Sequence, residues 1–157
     1  MGELEDEAFF RRPQPQVNPV ALIVKHLSGN LRARWTDFLT RDGDSNRDRD
    51  DEFVLGPQDT REQLMAQWNV GWGALEAALE SLKEANPQQI VTIRGEAHSV
   101  QQALLRGLSH AAYHTGQIVY LVRLWKPDAP WLTIAPGERR THKGSYRKTI
   151  PPTLKGP

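Results

Sequence analysis

The sequence contains no cysteine among its 157 residues. Disulfide bonds, thiolate metal sites and a cysteine nucleophile are therefore excluded. Histidine and the carboxylates are left as the strong metal ligands, and a chain without cysteine is compatible with a reducing compartment.

Long hydrophobic runs and a signal peptide are absent too. The longest apolar run, Val20 to Val24, is far shorter than the roughly 20 residues that cross a bilayer. Residues 3–7 are mainly acidic, whereas a secretory signal begins with basic residues and continues with an apolar stretch. We therefore expect a cytoplasmic protein without a membrane partner.

An excess of charge of one sign is also missing. The 20 Lys and Arg residues against 19 Asp and Glu residues give a net charge of +1. Nucleic-acid-binding domains carry a basic face, and here basic residues are in excess only in the tail from Arg139 to Lys155. The balance of charge argues against a nucleic-acid partner.

The first of three predicted helices follows Asn18-Pro19, a pair that favours a helix start. Apolar residues then recur at spacings of three and four, which is typical of one helix face, and the helix is expected to end near Thr40. Residues 41–57 are rich in charge and predict a long loop.

The second helix is predicted from Thr60, because Gln63 three residues later completes a capping-box pattern. Asn86-Pro87 should end it, since the residue before a proline avoids helical conformation. The β-branched stretch Ile90 to Ile93, followed by Arg94-Gly95, predicts a short extended segment near residues 90–94.

The third helix should open at Ser99 with a second capping-box pattern and end at Lys126-Pro127. The proline-rich remainder, residues 127–157, predicts an irregular tail. The pattern therefore favours an all-α protein of a single domain over residues 1–157, with its core within residues 18–126.

His110 and His114 are the clearest candidates for a functional site. Four residues apart on one helix, they project from one face, one turn apart, which suits capture of a metal ion. Ala103 lies seven residues before His110 and Leu121 seven after His114, so both imidazoles should face the interior. Two buried imidazoles favour a shared metal ion, although such a pair also arises by chance.

His26 lies at the edge of the first helix's apolar face. Its position alone also fits a half-buried histidine with an ordinary hydrogen-bond partner. His98, before a helix cap, and His142, in the basic tail, are expected to be exposed.

Three blocks of the sequence form a recognisable pattern. They are Asn18-Pro-Val-Ala-Leu-Ile-Val-Lys-His-Leu-Ser-Gly-Asn30 with Arg34-Trp-Thr-Asp-Phe-Leu39, then Trp68-x-x-x-Trp72, then Ile93-Arg-Gly-Glu96 with Ser109-His-Ala-Ala-Tyr-His-Thr-Gly-Gln-Ile118. Together they resemble the DinB-like superfamily, and more narrowly an uncharacterised bacterial subgroup of it. The matches are spread over residues 8–137. The resemblance implies a four-helix bundle with a three-histidine site for nickel or zinc, in which His26 takes the first ligand position and His110 and His114 the others.

The resemblance also implies a long helix before the segment similar to Glu3 to Arg12, whereas this sequence begins at Met1. The first helix is therefore expected to be short or missing. Either the start is truncated, or a neighbouring chain in a homodimer covers the exposed groove.

Three imidazoles leave at least one coordination position for water or substrate, as in catalytic zinc sites. We expect a metal-dependent enzyme that acts on a small molecule, as a hydrolase or a thiol transferase. The transferase activity and its low-molecular-weight thiol are implied by the resemblance. The alternative is a non-catalytic, metal-stabilised helical module for binding or stress response.

Second-shell partners of the metal ligands are expected at Asn30, one turn beyond His26, and at Gln117, three residues beyond His114. Either side chain also fits the ordinary polarity of a helix edge.

Candidates for a general base arise only by elimination. They are Asp37 and Glu96.

Tryptophan side chains recur at core-facing positions of the predicted helices and favour core packing over a pocket above the metal. They are Trp35, Trp68, Trp72 and Trp125.

Overall fold

The computed structural model describes residues 2, 4–45, 47–82 and 86–130. By its internal contacts the chain divides into two units, Met1–Pro127 and Asp128–Pro157. All helices and strands below belong to the first unit. The expected irregular tail, with His142, lies almost entirely outside the described residues.

The described residues are mostly helical, with one small two-stranded sheet. The elements in chain order are α1 (Asp6–Phe10), α2 (Val20–Trp35), a single 3-10 turn (Asp51–Phe53), α3 (Arg61–Ser81), β1 (Ile90–Ile93), β2 (Glu96–Ser99) and α4 (Val100–Trp125). Helix α1 has five residues. None of the helices in the described segments is both long and apolar enough to cross a bilayer.

Helix α2 is the centre of the first unit. It packs most extensively against α3, and α1 and α4 contact it as well. Twelve of its 16 residues are buried, so its polar residues face protein on most sides and need partners there. The approach of α3 depends on Gly71, where a Cβ atom would lie 2.9 Å from the carbonyl oxygen of Ser28.

Two predicted boundaries of α2 are wrong. Asn18 does not cap the helix, because Pro19 itself is the N-cap and its carbonyl accepts the first backbone hydrogen bonds. The helix ends at Trp35 rather than near Thr40, because Thr36 is extended and Asp37 then adopts a φ of 52°, which a right-handed helix does not allow.

Helix α3 begins where predicted, with Thr60 accepting a hydrogen bond from the backbone N–H of Gln63 at 3.3 Å. It ends at Ser81, earlier than the predicted stop at Asn86-Pro87. Leu64 of α3 is fully buried, and Trp68, Trp72 and Leu75 pack against the apolar clusters that contain residues of α2, whereas Leu79 is exposed.

The extended segment at residues 90–94 is confirmed as β1, and β2 pairs with it as an antiparallel hairpin in the register Ile90 to Ser99 and Ile93 to Glu96. Arg94 and Gly95 form its turn with φ values of 55° and 77°. Two successive positive φ angles are typical of the tight turns that connect twisted strands. The hairpin runs directly into α4.

The capping box of α4 is confirmed in both halves. Ser99 Oγ accepts from the N–H of Gln102 at 3.1 Å, and Gln102 Oε1 accepts from the N–H of Ser99 at 2.9 Å. The C-cap is Lys126, as predicted. The start of α4 is therefore fixed, and with it the direction in which His110 and His114 project.

The four tryptophans within the described residues pack as core rather than around a metal pocket. Trp35 is buried among apolar residues, and Trp68, Trp72 and Trp125 are partly buried against the same apolar clusters.

Candidate metal centre

The structure brings His26, His110 and His114 together, although His26 lies 84 residues before His110. One ring nitrogen from each histidine lies within 4.8 Å of those of the other two. His26 comes from the buried helix α2 and is 3% exposed, and His114, on α4, is 9% exposed. The three side chains could hold one metal ion between α2 and α4.

The spacing of the ring nitrogens matches that of a shared ion. Nε2 of His110 lies 3.3 Å from Nε2 of His26 and 3.2 Å from Nε2 of His114. Two nitrogens that each lie about 2.1 Å from a tetrahedral zinc ion are about 3.4 Å apart. The observed distances therefore need little change to accept such an ion.

The hydrogen-bond partners of the Nδ1 atoms show which ring nitrogens of His26 and His114 carry a hydrogen. Nδ1 of His26 lies 2.9 Å from Oε2 of Glu52, and Nδ1 of His114 lies 2.8 Å from Oε1 of Gln117. Both oxygens are acceptors, so each Nδ1 donates, and in the neutral rings each Nε2 is left with a lone pair.

His110 cannot satisfy both of these lone pairs. Its own Nε2 carries at most one hydrogen, and it faces the Nε2 atoms of His26 and His114 together. Its Nδ1 is buried without a hydrogen-bond partner among the residues described. Convergent lone pairs are unfavourable by themselves and favourable around a cation, so the donor set fits a metal ion.

Electrostatics keep two of the candidate ligands uncharged. Burial, with the neighbouring His114 and His26 and then Arg47, lowers the pKa of His110 to about 4. Burial also lowers the pKa of His114, against the hydrogen bond to Gln117 that favours the charged form. Both imidazoles are therefore neutral at pH 7, as metal binding requires.

Glu52, from the 3-10 turn, is the carboxylate at this site. Arg47 donates to it through Nε, 2.6 Å from Oε1, and through Nη2, 2.5 Å from Oε2. Burial opposes ionisation of Glu52, but the hydrogen bonds from His26 and Arg47 keep its pKa below the ordinary value. Glu52 is therefore an anion fully engaged by its neighbours.

A second buried carboxylate, Asp44, anchors the same loop. It accepts from Arg34 at 2.6 Å, from Arg47 at 3.0 Å and from Arg94 at 3.3 Å. These arginines lie on α2, in the loop and at the hairpin turn, so Asp44 joins all three. The described part of the loop is therefore anchored to α2 and to the hairpin at Asp44, and to His26 at Glu52.

Comparison with known proteins places the sequence in a family. A family model described as Protein of unknown function (DUF1572) matches residues 1–138. The chain belongs to this family. No curated protein matches it, and no solved structure does. The family description assigns no activity, so the chemistry of this DUF1572 member has to be argued from the site.

Asn30 and Gln117, the two side chains expected to orient the candidate ligands of this DUF1572 chain, differ in their contacts with the histidine rings. Gln117 contacts Nδ1 of His114, whereas the ring nitrogens of His26 contact Glu52 and His110 rather than Asn30. Asn30 is buried on α2 one turn away.

The candidates for a general base lie apart from the histidines. Asp37 is exposed and pairs with Arg41 at 3.4 Å, and Glu96 lies exposed in β2. His98, predicted to be exposed, is half-buried and approaches the carbonyl oxygen of Glu96.

Sequence reasoning missed Glu52. It stands in the run Asp50-Asp51-Glu52, where nothing in the local pattern distinguishes one carboxylate from the next. Its contact with His26 spans 26 residues of sequence, and periodicity within a helix carries no information at that range. The one available signal is the charge density of the loop.

Two partly exposed aromatic rings also contact the imidazoles of this DUF1572 site. The ring of Phe53 lies 4.6 Å from that of His26, and the ring of Tyr113 lies 5.0 Å from that of His114. A cleft of about 730 Å³ adjoins Glu52 and is lined by Gly29, Arg47 and Glu52, but not by the histidines.

Proposed function

We propose that this chain is a divalent-metal-dependent enzyme of the DinB-like superfamily, with a four-helix-bundle fold and His26, His110 and His114 as metal ligands. The observation that carries the proposal is the convergence of three Nε2 atoms while two of the Nδ1 atoms donate elsewhere. Three imidazole donors favour zinc or nickel over magnesium or calcium, which prefer oxygen ligands.

The proposed reaction is hydrolysis, or transfer of a low-molecular-weight thiol, on a small molecule. An ion held by three protein ligands keeps a position for a further ligand and lowers the pKa of a water or thiol bound there. The protein contributes the imidazoles of His26 and His114, which are oriented by Glu52 and Gln117. The partly exposed rings of Phe53 and Tyr113 provide apolar contact area beside them.

One observation favours a second function, a metal-stabilised module without catalysis. Glu52 is the carboxylate in contact with the candidate ligands, and both of its oxygens are occupied by Arg47 and His26. It is therefore a poor general base in this arrangement. A hydrolase would need its base from the substrate or from a group outside these contacts.

The metal content of the purified protein tests both the metal-dependent enzyme and the metal-stabilised module, because both need the three-histidine site. Protein purified without a histidine tag should contain about one equivalent of zinc or nickel by elemental analysis. His114→Ala should lose most of it, because two ligands on two helices hold an ion weakly. His98→Ala is the matched control and should retain the metal. Less than about half an equivalent in the wild type, unchanged in His114→Ala, would contradict the proposal.

A cobalt-substituted sample separates catalysis with a thiol from a closed structural role. Addition of small thiols should change the visible spectrum of bound cobalt, because a thiolate replaces another ligand at the remaining position. A spectrum that stays constant at saturating thiol would exclude the transferase reaction.

A further inference from the structure

The charged loop between α2 and α3 supplies a carboxylate to a site whose candidate ligands all lie on helices. Glu52 is 7% exposed, and its Oε2 accepts from Nδ1 of His26 at 2.9 Å. A histidine that ligates a metal commonly donates its other ring N–H to a carboxylate, which fixes the tautomer, the ring orientation and the basicity of the ligand. Glu52 is placed for that role.

Arg47 holds Glu52 in one orientation. Its guanidinium binds both carboxylate oxygens, and such bidentate pairs fix geometry as well as charge. Arg47 is itself fixed by Asp44 at 3.0 Å. His26 is thus the last member of a continuous buried series of hydrogen bonds that starts at Asp44, and each charge in the series has an opposite charge beside it.

Gly29 provides the space that Glu52 occupies. A Cβ atom at position 29 would collide with Oε1 of Glu52 and lie 2.9 Å from its carboxyl carbon. Gly29 is three residues after His26, on the same side of α2. An alanine there would force the carboxylate out of its present position without removing any charge.

We propose that Glu52, held by Arg47 over Gly29, is a positioning residue that sets the metal affinity of the site through His26. The inference rests on the proposed role of the three histidines as ligands. It extends that role to the loop residues Asp44, Arg47 and Glu52, whose contacts with α2 complete the site.

The test is a cobalt titration of the full chain, followed by absorption, for two variants that act differently. Glu52→Gln keeps the size of the side chain and removes its charge. Gly29→Ala keeps every charge and displaces the carboxylate. Each should weaken cobalt binding about 10- to 100-fold, as for other outer-shell partners of ligating histidines. Gly73→Ala is the matched control, since a Cβ atom there meets nothing within 4 Å, and its affinity should equal that of the wild type.

A nitrogen NMR spectrum of the metal-free protein distinguishes positioning from mere structural support. His26 should carry its hydrogen on Nδ1 in the wild type and in Gly73→Ala, and should populate the other tautomer in Gly29→Ala. A loss of stability alone would not change the tautomer of a folded population.

The outcomes separate this inference from the proposed function. If the wild type binds cobalt and both site variants bind it equally well, the positioning role of Glu52 is wrong and the histidine site stands. If the wild type binds no cobalt, the histidine site fails and the inference fails with it. If Glu52→Gln does not fold, Gly29→Ala decides alone.

Discussion

Asp44 shows how much of the site depends on one residue outside it. Its side chain is 1% exposed and accepts hydrogen bonds from Arg34, Arg47 and Arg94. A buried anion among arginines is costly to desolvate, but once present it is costly to remove, because its partners are then left unpaired.

Replacement of this carboxylate should therefore destabilise the fold strongly. Asp44→Asn should lower the free energy of unfolding by about 3 kcal/mol or more, measured by urea denaturation, since Arg34 and Arg47 lose a buried counter-ion. Asp50→Asn, at an exposed position of the same loop, should stay within about 0.5 kcal/mol of the wild type. Equal stability of the two variants would contradict this account of the loop.

The ionisation of Asp44 should also make the free energy of unfolding depend on pH. Burial raises its pKa, but the hydrogen bond from Arg47 and the charge of Arg34 hold that pKa below its ordinary value of 3.8. The folded pKa lies below the unfolded one, so the stabilisation is complete above about pH 4 and disappears as the pH falls through the folded pKa.

Unfolding free energies measured between pH 6 and pH 2 should test this. They should decrease below about pH 4 in the wild type and more gently in Asp44→Asn, which has no such group to titrate. Parallel curves for the two proteins would show that Asp44 is not the source of the acid sensitivity.

At the scale of elements, Gly71 allows α2 and α3 to approach each other closely. Gly71→Ala should destabilise the protein by about 1–3 kcal/mol, because its Cβ would press on the backbone of Ser28 and force the helices apart. Gly73→Ala, two residues along the same helix, should be neutral or stabilising by up to about 1 kcal/mol through helix propensity. Thermal unfolding of both variants measures the difference, and similar melting temperatures would contradict the close approach.

The elements that sequence predicts well are those specified by local signals. The capping box at Ser99 and Gln102 acts over three residues, and the contact between His114 and Gln117 also follows helix spacing. The end of α2 was missed because it depends on the left-handed conformation of Asp37. The support of His26 was missed because Glu52 reaches it from a loop whose own anchor, Arg94, lies 50 residues from Asp44.

For the whole molecule, α4 presents apolar side chains to solvent on the side away from its buried residues. Leu105, Leu108 and Tyr120 are between 57% and 72% exposed. We expect a second copy of the chain to cover this face, so sedimentation at micromolar concentration should show a dimer. Leu108→Glu should shift it to the monomer and Leu79→Glu, on α3, should not. A compact wild-type monomer would contradict the expectation.

The central claim, a metal ion held by three imidazoles, is tested most directly by X-ray absorption at the metal edge of the loaded protein. The zinc-loaded protein should show nitrogen and oxygen ligands at about 2.0–2.1 Å from the metal. At longer distances it should show the scattering of about three imidazole rings. Loss of about one ring in His26→Ala would identify that ligand, whose position on α2 is the least evident from sequence. A first shell without imidazole scattering would contradict the assignment of His26, His110 and His114 as the metal ligands.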